Sequence, residues 1–221
     1  MSTVFADLSV SLEGFVAGPD PSLQDPLGVG GEQLHEWAFA ARAWRQAHGM
    51  EGGEAGHDSD LVDETVARTG AGIMGRLMFS GGSGPWEDDP NARGWWGEDP
   101  PFHHTVFVLT SHAREPLEMQ GGTTFVFVTD GFEAALAGAR EAAGGKDVQI
   151  HGGASAVQQA LAAGALDELQ IHIAPVLLGS GTPLLGGTTG KLERVRVLES
   201  PSGVTHIRYA RNNLHDRANR V

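Results

Sequence analysis

The chain has 221 residues, with 28 Asp and Glu against 15 Lys and Arg, a formal net charge of −13. That balance argues against a nucleic-acid or anionic-membrane partner, although a local cationic pocket for a phosphate remains open. Hydrophobic residues make up 40% and cysteine is absent, so one sizeable core is affordable while disulfides and thiolate metal sites are excluded.

Val4–Ser11 alternates Val4, Ala6, Leu8 and Val10 against Phe5, Asp7, Ser9 and Ser11, the period of a strand. Glu13-Gly14 turns it and Phe15-Val16-Ala17 resumes it. Gly18–Gly31 holds three prolines and reads as a loop. Leu34, Trp37, Ala38, Ala41 and Trp44 recur at helical spacing and predict one helix over Glu32–Gln46. After the polar loop Gly49–Ser59, a helix over Asp60–Thr69 follows with Ser59 as N-cap. Gly72-Ile73-Met74 is a short buried strand ending at Gly75, and a helix starts near Arg76.

Gly81–His104 carries Trp86, Trp95, Trp96 and Phe102 among Gly, Pro and Asp, with no clear secondary structure. Two readings stand: a functional aromatic loop, or a loop packed on its own tryptophans or a subunit contact. Thr105–Thr110 and Thr124–Thr129 are strands, Phe132–Ala143 a helix, Val148–His151 a strand, Ala154–Ala163 a helix and Glu168–Ala174 a strand. Leu192–Glu199 and Val204–Ala210 form a hairpin through Pro201-Ser202-Gly203. No apolar run reaches the ~20 residues that span a bilayer. The first residues show no basic, apolar and small-residue signal, so a cytoplasmic protein is expected. Residues 1–211 read as one domain and 212–221 as a polar tail. The β/α alternation predicts a mostly parallel sheet with helices on both faces and an antiparallel hairpin at its edge.

Three strand-to-helix or strand-to-loop turns suit an anion. Gly152-Gly153-Ala154-Ser155 opens a helix, where backbone N–H groups can cradle a diphosphate; a tight packing turn is the other reading. Met74-Gly75-Arg76 has the same design. Thr110-Ser111-His112 places hydroxyls and an imidazole beyond a strand's carboxyl end, as a ribose 2′-phosphate requires, or is ordinary turn chemistry. Asp7 sits inside the first strand, either as a general acid in a pocket or as a member of a structural ion pair. His172 lies inside a later strand, as a site residue or a simply hydrogen-bonded one. Trp37 and the Trp95-Trp96 pair could stack on a planar heterocycle; for Trp37 a core position is the stronger reading. His57, Asp58, His103 and His104 share no ligand spacing, and no metal is expected.

Taken together, SLEGFVAG (11–18), MGR (74–76), FVLTS (107–111), IHGGAS (150–155) and DELQIHIAPVLLGSGTPLL (167–185) resemble the dihydrofolate reductase-like superfamily, in particular its riboflavin-biosynthesis reductase branch. The resemblance spans roughly residues 4–210. It implies a three-layer α/β/α dihydrofolate reductase-like fold, a homodimer, and NADPH across the carboxyl edge of the sheet. Gly75 and Arg76 would then hold phosphate. Thr110, Ser111 and His112 would hold the 2′-phosphate, and Gly152, Gly153, Ala154 and Ser155 the diphosphate. Backbone near Ser9, Val16 and Ala17 would meet the nicotinamide. The chain departs from the pattern at Met78, where a phosphate-contacting Thr is common, and at His151, where a third glycine is common. The first helix offers Glu32, His35 and Glu36 but no plain match for the carboxylate of folate reductases. The implied function is an NADPH-dependent reductase of a small planar heterocycle, pyrimidine- or pteridine-like. The alternatives are a reductase of a bulkier aromatic compound and a non-catalytic nucleotide-binding protein.

Overall fold

A computed structural model describes residues 2–211; the polar tail expected at 212–221 lies outside the described residues. The strands are β1 (Val4–Val10), β2 (Phe15–Ala17), β3 (Thr69–Gly75), β4 (Thr105–Leu109), β5 (Leu117–Glu118), β6 (Thr124–Val128), β7 (Asp147–Gly152), β8 (Glu168–Ile173), β9 (Thr182–Pro183), β10 (Leu192–Glu199) and β11 (Thr205–Arg211). The helices are α1 (Glu36–Ala40), α2 (Arg42–Ala47), α3 (His57–Arg68), α4 (Arg76–Ser80), α5 (Phe132–Ala142) and α6 (Ala154–Ala162).

Nine strands form one sheet in the order β10-β11-β8-β1-β7-β3-β4-β6-β5. The run from β8 to β6 is parallel, while the β10–β11 hairpin and β5 add antiparallel edges. The central strands are apolar on both faces, as a parallel sheet covered on both sides demands: Ile73, Met74, Val106 and Val108 are all fully buried. On one face Val4, Ala6, Ile73, Phe107 and Ile150 pack against α5 and α6, whose Phe132, Ala135, Leu136 and Ala139 recur at helical spacing. The other face is divided. Trp37 and Leu34 seal its β8–β11 side with Ala174 and Val204, and Met74, Val106, Val108 and Phe125 meet Phe79 of α4 and the aromatic segment on its β4–β6 side. The three-layer architecture expected from the sequence is the one observed.

Several elements differ from expectation. The helix expected over Glu32–Gln46 is a 3-10 turn (Gly31–His35), α1 and α2, because Ala41 is extended and bridges Glu54. Glu54 N–H donates to Ala40 and Arg42 N–H to Glu54, which takes the backbone away from the helical ladder. The next helix starts at His57 rather than Asp60, so Ser59 is not its cap; Ser59 is buried inside the first turn and accepts the Ala43 N–H at 3.1 Å. The two-residue strands β5 and β9 were not expected. β9 pairs with β2 through Phe15↔Pro183 and Ala17↔Thr182 and ties the first turn to the loop after β8.

Candidate active site

The register of the parallel strands aligns the three anion-suited turns. Met74 of β3 pairs with Gly152 of β7, and Gly75 pairs with Leu109 of β4, the residue before Thr110. A Cβ on Gly75 would lie 3.9 Å from Gly152 O and Gly153 N, so these turns are neighbours. Gly153 faces open space and is exposed, and it leads directly into α6 with no side-chain cap on the helix N–H groups. Ser155 is exposed and Ala154 buried in that first turn. Past β4, Thr110 Oγ1 accepts the His112 N–H at 3.1 Å, and Ser111 Oγ lies 3.1 Å from His112 Nδ1. Val16 packs against the main core, and Ala17 is held in the β2–β9 pair.

Arg76 at the start of α4 is turned inward rather than towards solvent. Its guanidinium lies 3.5 Å over the Trp86 ring, and one Nη bonds Ser80 and sits 2.6 Å from Asp89. Its Nε and second Nη are buried and have no hydrogen-bond partner. Arg114 also lies over Trp86, at 4.5 Å, and Trp86 Nε1–H donates to the His112 carbonyl at 2.7 Å. The aromatic segment thus folds over the exits of β3 and β4. Within it Trp95 crowds Gly81, and Trp96 meets Phe102 edge-on at 5.0 Å.

On the divided face, polar side chains run across the strands. His206 of β11, His172 of β8 and Ser9 of β1 share one row, and Gln170 and Asp7 share the next. Asp7 bonds His172 Nε2, accepts the Thr65 hydroxyl of α3 at 2.6 Å, and has Gln170 Nε2 at 3.4 Å. His172 Nδ1 lies 2.6 Å from His206 Nδ1, and His206 Nε2 lies 2.8 Å from Asp58 at the start of α3. Trp37 roofs both imidazoles, with ring centroids at 4.4 and 5.0 Å, and donates its indole N–H to Ser9 Oγ at 2.9 Å. Burial works to raise the Asp7 pKa, but the charge and hydrogen bond of His172, with Thr65 and Arg208, hold it below the ordinary carboxylate value. Burial lowers the His206 pKa, and the charge of His172 adds to the effect against Asp58.

Beside Asp7 on the next strand comes His151, one residue beyond the Ala6↔Ile150 pair. It packs on Phe102 at 4.9 Å and stacks on His104, the two Nε2 atoms being 3.4 Å apart. Gln149, His151 and His104 are only half-buried although they sit over the middle of the sheet, which marks a cleft between α3 and the aromatic segment. Burial depresses both histidines, His151 to about 3 and His104 to about 4, and both are neutral at pH 7.

The structure therefore brings Asp7 and His172 into direct contact, brings Gly75, Thr110 and Gly152-Gly153 to one edge, and puts Trp37 over His172 rather than in open solvent. Trp96 meets Phe102, which packs on His151, whereas Trp95 packs at Gly81 just past α4. The sequence reading missed His206, Asp58, Thr65 and the His104–His151 pair as partners. A signal existed for one of them: His206 and Arg208 alternate on β11 as His172 and Gln170 do on β8.

A mostly parallel sheet with an antiparallel C-terminal edge, covered by helices on both faces, is a dihydrofolate reductase-like fold. Residues 2–206 match the family model of the RibD C-terminal domain, and the chain belongs to that family. Among solved structures it is similar to a protein assigned to riboflavin biosynthesis from Shewanella sp. PV-4, with a TM-score of 0.62 and 19% identity over 96% of this chain and 99% of that one. It is also similar to the diaminohydroxyphosphoribosylaminopyrimidine deaminase/5-amino-6-(5-phosphoribosylamino)uracil reductase of Thermotoga maritima, with a TM-score of 0.54 and 14% identity, covering 95% of this chain and 56% of that longer one. The dihydrofolate reductase of Enterococcus faecalis complexed with NADP(H) and RAB-propyl gives a TM-score of 0.52 and 15% identity, covering 95% and 96%. No curated protein sequence matches the chain. At these identities the solved structures establish the fold.

Proposed function

We propose that the protein is an NADPH-dependent reductase of a small planar heterocycle of the pyrimidine or pteridine kind. The observation that carries the reading is the junction at the carboxyl edge of the sheet: three adjacent turns, open space at Gly153, and the buried Arg76 with two unpartnered donor nitrogens. Two such donors suit an anion that completes their hydrogen bonds. Gly75, Gly152, Gly153 and the first turn of α6 would hold the diphosphate, Arg76 with Thr110, Ser111 and His112 the 2′-phosphate, and the backbone near Ser9 and Ala17 the nicotinamide. When bound, NADPH supplies a hydride from its C4. A substrate C=N or C=O bond that accepted it would need a proton at its heteroatom. Asp7 and His172 are the pair that supplies it, at the floor of the cleft. Trp37 fixes His172, and Trp96 with Phe102 forms the apolar wall for the planar ring. A homodimer in the cytoplasm belongs to the same reading and rests on the family resemblance.

Fluorescence titration with NADPH and NADH tests the cofactor. NADPH binds more tightly, and Arg76→Gln or Ser111→Ala lowers its preference over NADH by about tenfold, the weight of one charge-assisted hydrogen bond. Binding of neither nucleotide refutes the reading. NADPH oxidation is then followed with 5-amino-6-(5-phosphoribosylamino)uracil, a dihydropteridine and aromatic imines. Slower turnover in Trp95→Ala and Trp96→Ala on the aromatic imines alone favours the bulkier substrate.

A further inference from the structure

His206 and Asp58 take no part in the hydride step, yet they continue the Asp7–His172 contact into an unbroken chain across β1, β8, β11 and α3. The chain fixes its own proton count. At 2.6 Å one of the two Nδ1 atoms donates and the other accepts, so one hydrogen lies between the rings. Each Nε2 faces a carboxylate oxygen, and a neutral lone pair there would oppose another lone pair. Two Nε2–H groups and one Nδ1–H place three hydrogens on two rings, so with both carboxylates ionised one ring is an imidazolium. Geometry puts the charge on His172. It faces Asp7, the more deeply buried of the two carboxylates, and lies nearer to the Trp37 ring than His206, which meets that indole edge-on. The lowered basicity of His206 agrees, since a neutral His206 is the one that accepts at Nδ1.

We propose that His206, anchored by Asp58, is a positioning residue that holds His172 as an imidazolium with its Nε2–H on Asp7, storing one proton at the floor of the cleft. The proposal rests on the reductase reading for the use of that proton, not for its existence. Around the pair lie Arg208 from β11, Glu64 from α3, His35 from the 3-10 turn and His151 from β7. Of these, the two histidines are depressed by burial, His35 to about 4 and His151 to about 3, so both are neutral at pH 7.

The test is an NMR titration of the full chain labelled with 15N-histidine, which reads tautomer and charge ring by ring. In the wild type His172 stays charged at pH 7. Asp58→Asn offers an amide donor to His206 Nε2, turns the Nδ1–H of His206 towards His172, and lowers the pH at which His172 titrates by about one unit or more. His206→Phe does the same by removing the acceptor. His206→Gln keeps an acceptor oxygen for His172 and a donor for Asp58, so it restores the titration to within a few tenths of a unit of wild type. An unchanged His172 titration in folded Asp58→Asn, or a neutral His172 at pH 7 in the wild type, overturns the proposal. The titration needs no substrate, so failure of NADPH binding or turnover is a separate result that refutes the reductase reading alone.

Discussion

Gly72 leaves the space that the His151 ring fills. A Cβ on Gly72 would overlap His151 Nε2 and Cδ2 and come within 3.3 Å of His104 Nε2. The departure from a glycine at 151 is thus matched by a glycine on the neighbouring strand, and the two residues set the floor of the cleft together. Gly72→Ala must displace the imidazole from its stack on His104. The cost expected is about 1–3 kcal/mol, as for other overpacked cores, read as a lower urea midpoint at unchanged m-value. In a His151→Gly background the added methyl meets only the His104 ring at 3.3 Å, which must give by a few tenths of an ångström, and the same change costs clearly less than in the wild type. Equal costs in both backgrounds refute the steric coupling.

Among the helices, α3 is held differently from α5 and α6. Only Ser59 and Leu61 of α3 are buried, and acidic and other polar side chains fill most of its remaining positions, so burial alone does not anchor it. It is fastened by ion pairs and hydrogen bonds: Asp58 to His206, Glu64 to Arg196 and Arg208, Thr65 to Asp7, and Arg68 to Asp147 and Glu168. The Arg196–Glu64 pair is about a third exposed and contributes little in salt. Raising salt from low to molar concentration therefore speeds amide exchange in α3 more than in α5, whose Phe132, Ala135, Leu136 and Ala139 are buried; equal acceleration would show that α3 is held by its apolar side. This division explains what the sequence disclosed. Strands and apolar helices were legible because burial imposes a period on local residues. The break at Ala41 was not, because it depends on Glu54 across a loop, without Pro or Gly to announce it. The glycine turns at the carboxyl edge of the sheet were legible as strand-glycine-helix patterns, and Asp7 and His172 as polar residues inside strands. Asp58 was not, because its partner His206 lies 148 residues away and only the sheet order brings them together.

Across the whole molecule, acid acts through two opposing terms. The net charge of −13 falls towards zero as pH drops towards the pI near 5.1, which relieves self-repulsion. Against this, burial first of all depresses His35, His104 and His151 from 6.5 to about 4, 4 and 3 in the folded state. A depressed folded pKa means that the unfolded chain binds the proton first. Stability from these groups is complete above the unfolded value of 6.5 and is lost as pH falls towards the folded values. Each contributes a slope of up to about 1.4 kcal/mol per pH unit within that window. The carboxylates Asp7, Glu64 and Asp89 are likewise held below their ordinary values, by bonds to His172, to Arg196 and Arg208, and to Ser80 and Arg76, which outweigh burial; their contribution disappears lower still. Screening by salt weakens the repulsion term but leaves the buried imidazoles nearly untouched. At moderate salt the histidines win. The urea midpoint is therefore level from pH 8 to 7 and declines steadily from 6.5 towards 4, and a His104→Asn, His151→Gly double variant declines less steeply over the same range. A midpoint that rises between pH 6.5 and 5 in both proteins would mean that charge repulsion, and not the neutral histidine pair beneath the cleft, governs the acid limb.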